Sequence, residues 1–137
     1  MVKKLLIIGV IFAMLFAAAG YYYVFIYSVK HHRDVNNESA ISITATDLTK
    51  AFLDNEQAAN QKYLNQAIQV TGAVLDITYD QSHQKTVLIG SETEISNVFI
   101  TLKDTSVSFK IGDTILVKAI CNGFLSDIVL VDGVVKH

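Results

Sequence analysis

From Leu5 to Val29 the chain runs for 25 residues without a formal charge, directly after Lys3-Lys4. A helix of about 20 apolar residues crosses the hydrocarbon core of a bilayer. This run therefore divides the chain into a membrane-directed end and a remainder that must fold around a core of its own. Two readings of the run stand side by side. Leu5 to Phe16 has the length of a signal-peptide core, with Ala17-Ala18-Ala19 offering small residues to a peptidase, or the whole run is retained as an anchor. Retention is favoured, because cleavage after Ala19 would leave GYYYVFIYSV as an exposed apolar terminus. Tyr21, Tyr22, Tyr23 and Tyr27 also suit the aromatic belt at the far end of a span. The expected address is a membrane, crossed once through residues 5–29, with the C-terminal domain outside. The pair His31-His32 reads as a solvated segment rather than a metal site, since no further ligand lies beside it. Asn37-Glu38-Ser39 fits a glycosylation sequon, which matters only in a eukaryotic secretory pathway.

The domain boundaries expected are an anchor over 1–30, a polar linker over 31–46 and a folded domain over 47–137. Charge is distributed unevenly across them. Lys3, Lys4, Lys30 and Arg33 against Asp34 make residues 1–36 basic, whereas 37–137 hold seven lysines, no arginine and twelve acids. An acidic domain lacks the clustered Lys and Arg that contact phosphates, which disfavours nucleic acid as a partner. A single cysteine, Cys121, excludes an internal disulfide, a CxxC redox pair and a cysteine-rich zinc finger.

Thr46 or Asp47 can cap a helix predicted over 47–62, on which Leu48, Ala51, Phe52, Ala59 and Tyr63 share one stripe with Asn55. Asn55 either ends a turn at a polar margin or makes a structural hydrogen bond to a strand edge. From Gln66 the apolar period becomes two, and strands are predicted over 66–78, 85–90, 97–103, 113–122 and 127–136. In the first, Ile68 and Val70 alternate on even positions and Leu75 and Ile77 on odd ones, which predicts a bulge or bend near Gly72. Long, bent first strands close small barrels. The fourth strand places Ile115, Val117, Ala119 and Cys121 on one face, and the fifth places Val129, Val131, Gly133 and Val135 on one face.

A helix carrying Asn55, Ala58, Ala59 and Tyr63, then IQVTGAV, then KIGDTILVKAICNGF and DIVLVDGVV, resembles the bacterial OB-fold family labelled tRNA-anticodon-binding-like over residues 47–137. The resemblance implies a mainly β fold: a five-stranded barrel preceded by a short α-helix, here behind an N-terminal transmembrane helix. It also implies that Cys121 matches a cysteine common in the family, whose usual partner on the last strand would be Gly133 in this chain, leaving a small residue opposite. The candidate ligand face of such a barrel, on the second and third strands and the adjoining loops, comprises Phe99, Thr101, Tyr79 and His83.

No P-loop, GxGxxG or HExxH is present, and no catalytic, metal or cofactor constellation is assigned. His83, in the loop DQSHQK, and Asp76, Asp80, Glu92, Glu94, Asp104 and Asp113, in or beside the strand connections, read as solvent-facing groups. The function expected is a non-catalytic, membrane-tethered binding module of the cell envelope, with a protein, peptide or envelope ligand. Single-stranded nucleic acid binding and an enzyme with a site scattered through the sequence are the alternatives.

Overall fold

The structure is a computed structural model and describes residues 1–27, 34–93 and 95–136. His31, His32, Arg33, Glu94 and His137 lie outside the described residues. The chain forms two compact units, Met1–Asp34 and Val35–His137. In the first, helix α1 (Val2–Tyr21) runs into a π-helical turn, Tyr22–Tyr27. Residues Val2–Phe25 have a mean hydropathy of 2.2 over their most apolar stretch and are long and apolar enough to cross a membrane. Every described side chain of this unit is exposed, which in water would be untenable for so many Leu, Ile and Phe residues.

The second unit opens with a 3₁₀ turn (Val35–Asn37) and strand β1 (Ile41–Thr44). Helices α2 (Ala45–Asp54) and α3 (Glu56–Tyr63) follow. Strands β2 (Ala67–Tyr79), β3 (Lys85–Ile89), β4 (Val98–Leu102), β5 (Thr114–Phe124) and β6 (Ile128–Lys136) complete it. Strands β2 to β6 close into a barrel through the pairings β2–β3, β3–β4, β4–β6, β6–β5 and β5–β2. All are antiparallel except β4–β6. This is the OB-fold barrel, with β1 added in parallel alongside the first half of β2, Ile41 opposite Ile68 and Thr44 opposite Thr71.

Residues 35–46 are therefore part of the folded unit and not a linker. Val35 is fully buried against Ala67 and Ile120, with Ala40 and Val131 around them, on the outside of the barrel. The buried ammonium of Lys118 donates to the carbonyls of Asn36 and Glu38, and Lys136 donates to Asn36 Oδ1 at 2.8 Å. Composition hid this strap, because its polar groups are satisfied by lysines from two distant strands, Lys118 of β5 and Lys136 of β6.

Thr44 caps α2, its Oγ1 accepting from Asp47 N at 3.1 Å. The predicted single helix is broken at Asn55, which leaves helical geometry at φ −157° and caps α3 by accepting from Ala58 N at 3.0 Å. Leu48, Phe52, Ala59 and Tyr63 all reach the main core, and the Phe52 ring lies 5.8 Å from that of Phe124.

The phase change in β2 falls later than predicted. Its register shifts between Val74 and Asp76, so Leu75 is the extra residue and points outward, half exposed. Gly72 serves a different purpose: a β-carbon there would stand 2.3 Å from Ile89 Cγ2, so glycine allows the close approach at the bend. A second bulge reorders β6. Two residues, Asp132 and Gly133, span the gap opposite Ala119, with Asp132 at φ 55°. Consequently Ile128 and Leu130 point inward with Gly133 and Val135, while Val129 and Val131 point outward. Cys121 faces Leu130, and Gly133 lies instead beside Leu102 of β4, which corrects the expected Cys121–Gly133 pairing.

Candidate functional site

Registry across β3, β4 and β6 assembles an outward face that no single strand announces. Asp76, Leu88, Phe99 and Val129 stand in one row, from β2 through β3 and β4 to β6. Thr78, Thr86 and Thr101 form the next row, with the Thr78 and Thr86 hydroxyls 2.5 Å apart. Leu88, Phe99 and Val129 are partly exposed, and the strap that covers Val131 and Ile120 stops short of them. The result is a partly exposed apolar stripe bordered by the exposed Thr78 and the half-buried Thr101, with Thr86 buried between them.

At one end of the stripe two loops are tied together. Asn97 N donates to Asp127 Oδ1 at 2.8 Å, Ile128 N donates to Asn97 O at 3.0 Å, and Asn97 Oδ1 accepts from Ser91 N at 3.1 Å. Each loop carries an aliphatic tip in solvent, Ile95 at 78% and Leu125 at 79% exposure. At the other end, β2 and β3 are joined by a turn folded around Asp80, whose Oδ1 accepts from Ser82 N and Gln84 N at 2.8 and 2.9 Å. His83 sits in that turn at φ 60°, exposed.

The border of the face carries more carboxylates than ammonium groups, with the exposed Lys103 directly after β4, two residues beyond Thr101. Asp76 is in its first row, and Asp132 is exposed in the bulge opposite Thr101. Asp104, in the connection leaving β4, is held below the ordinary carboxylate range by the hydroxyl and backbone N–H of Ser106, so it stays ionised at neutral pH. Two lysines that sequence alone would count as free are committed elsewhere. Lys85 is buried, donating to Val107 O at 2.6 Å with its ammonium 4.6 Å from the centroid of the Phe109 ring, and Lys118 holds the strap.

The four residues predicted for a ligand face divide. Phe99 and Thr101 lie on it together. His83 is at its margin, in the β2–β3 turn. Tyr79 is not on it: it pairs with Lys85, whose side chain points the other way, and it is exposed at the end of β2. Leu88, Val129, Thr78 and Thr86 were missed because each joins Phe99 or Thr101 only through cross-strand register. Cys121 is fully buried among the apolar side chains of the core, and burial pushes its thiol pKa up, outweighing a backbone hydrogen bond from Gly123. Among the described residues no group of three or more His, Cys, Asp or Glu is placed to hold a metal ion.

The tRNA_anti-like family model matches residues 1–134. The chain belongs to the tRNA_anti-like family. Its match takes in the apolar N-terminal helix as well as the barrel. No curated protein matches the sequence. Among solved structures the chain is similar to a lipoprotein of Klebsiella pneumoniae subsp. pneumoniae described as a candidate nucleic acid-binding protein, at TM-score 0.60 and 14% identity, over 77% of this chain and 98% of that one. A weaker likeness joins it to yeast Stn1 and Ten1, at TM-score 0.45 and 12% identity, over 74% of this chain and 65% of that one. At such identities the Klebsiella likeness speaks for the fold of this tRNA_anti-like domain and leaves its ligand open.

Proposed function

We propose that this tRNA_anti-like chain is a non-catalytic binding module of the bacterial cell envelope, tethered to the inner membrane by α1 with its barrel outside. The β3–β4–β6 face takes a polypeptide ligand. The observation that carries this reading is the partly exposed stripe Leu88, Phe99, Val129, bordered by the carboxylates Asp76 and Asp132, with Lys103 the exposed cation beyond Thr101. Apolar contacts supply affinity, and carboxylates at the border select a partner with basic residues beside its apolar ones. The name of the Klebsiella neighbour supports a nucleic-acid reading. The acidic border and the single aromatic in the stripe oppose it, because single strands are held by cationic grooves and stacked rings.

The test uses the full chain in lipid nanodiscs, titrated with a Leu/Lys-rich decapeptide and with a thymidine dodecamer. The peptide is expected to bind, to weaken as salt rises, and to lose at least about tenfold in affinity when Phe99→Ser is introduced. Tighter binding of the oligonucleotide, lost with the same substitution, would overturn the polypeptide reading in favour of nucleic acid.

A further inference from the structure

Strand β2 changes partner in mid-course, paired with β5 as far as Ala73 and with β3 from Val74. On the outside of this change two clefts meet, one of about 520 Å³ and one of about 370 Å³, sharing Thr71 and Thr114. The larger extends to Ser108, Phe109 and Val135, and the smaller to Thr46, Ser91 and Glu92. Each is within the size of ordinary small-molecule sites. The trough lies away from the β3–β4–β6 face and shares no residue with its two rows.

The chemistry of the lining narrows what can sit there. The backbone at the bend is already engaged: Ala73 O accepts from Gly90 N at 2.9 Å, Val74 N donates to Asp113 O at 2.8 Å, and Val74 O accepts from Gly112 N at 2.8 Å. A peptide strand therefore finds no edge to extend at this point. Recognition falls to side chains, and the exposed ones include the short hydroxyls Thr71, Ser108 and Thr114 beside Leu75, Asp113 and Glu92. A hydroxyl both donates and accepts. The carboxylates Asp113 and Glu92 line the two clefts, whereas the one ammonium in the lining, Lys136, is hydrogen-bonded to Asn36 Oδ1. That balance repels phosphodiesters. The Phe109 ring supplies an apolar wall, held in place from the Lys85 side by the cation–π contact.

We propose that the trough is a second binding site, for a neutral polyhydroxylated ligand of the glycan class. A sugar ring offers hydroxyls that donate and accept in turn, matching Thr71, Thr114 and Ser108, and a C–H face that packs on an aromatic ring such as Phe109. Asp113 and Glu92 accept from further hydroxyls without requiring a cation.

The test titrates the full chain in nanodiscs with the N-acetylglucosamine tetramer, cellotetraose and maltotetraose, followed by saturation-transfer NMR and calorimetry. At least one saccharide is expected to bind saturably, with a dissociation constant of about 1 mM or below. Thr114→Arg, which fills the trough from an exposed position, and Phe109→Leu are each expected to weaken it at least about tenfold, while Phe99→Ser on the other face leaves it within about twofold. No saturable binding by any of the three overturns the proposal. So does binding unaffected by Thr114→Arg, or a peptide or thymidine oligonucleotide that binds and is displaced by Thr114→Arg.

Discussion

Gly133 of β6 stands opposite Leu102 of β4, and a β-carbon built on it would lie 2.7 Å from Ile100 Cγ2 and 3.0 Å from Leu102 Cδ2. The bulge at Asp132 swings this position into the core wall between two strands that run parallel. Gly133→Ala is expected to destabilise the domain by about 1–3 kcal/mol through overpacking. Gly133→Cys should leave two free thiols under oxidising conditions, because Cys121 faces Leu130. Thiol titration with a denaturant melt reads both. A bond between Cys121 and the new cysteine would show that the β5–β6 register is wrong.

Cys121 itself should be inert as a nucleophile. Its thiol is fully buried and its pKa is raised from the ordinary 9.0, chiefly by desolvation. Since only the thiolate reacts, alkylation at neutral pH is expected only at the rate of global unfolding. The linkage follows in sign: with the folded pKa above the unfolded one, the protonated thiol stabilises the fold fully below about pH 9, and that contribution is lost as pH rises toward the folded value. Cys121→Ala should remove this part of the alkaline decline in stability, measured by melts from pH 7 upward. An unchanged alkaline slope in the variant would contradict the assignment.

The strap over 35–40 should contribute measurably to stability. A fragment beginning at Val35 is expected to exceed one beginning at Ile41 by about 2 kcal/mol, the value of burying one valine side chain with the loss of the Lys118 partners added. In the full chain, Lys118→Ala should lower the denaturant midpoint and open 35–40 to limited proteolysis before the barrel unfolds. Equal midpoints for the two fragments would mean that the strap is passive.

The anchor assignment predicts an intact N-terminus. The apolar helix continues past Ala19 through Phe25 without a charge. The full chain should therefore resist alkaline carbonate extraction and show its unprocessed mass. A mature protein starting at Gly20 would replace the anchor with a cleaved signal.

The apolar run, the helical stripe of Leu48, Phe52, Ala59 and Tyr63, and the five period-two segments were all legible from the sequence, because each is a local pattern that burial on one side imposes on consecutive residues. Within β5 the alternation of Ile115, Val117, Ala119 and Cys121 carried through to the core without correction. What failed was register at the level of single residues: the five strands close into a barrel as expected, but which residue lies opposite which did not follow from alternation. One inserted residue at Asp132 turned Val129 and Val131 outward, and another at Leu75 set the change of phase three residues after Gly72. The polar look of 35–46 concealed a strap and a strand, since the donors that satisfy Asn36 and Glu38 come from Lys118, some 80 residues away. The candidate face follows the same division: Phe99 and Thr101 share one side of a single strand, whereas Leu88 and Val129 come beside Phe99 only through registry. Side-chain alternation is a property of one strand and is written in sequence. Register, bulges and the partners of buried lysines are settled between strands, where closing the barrel decides which side each residue takes.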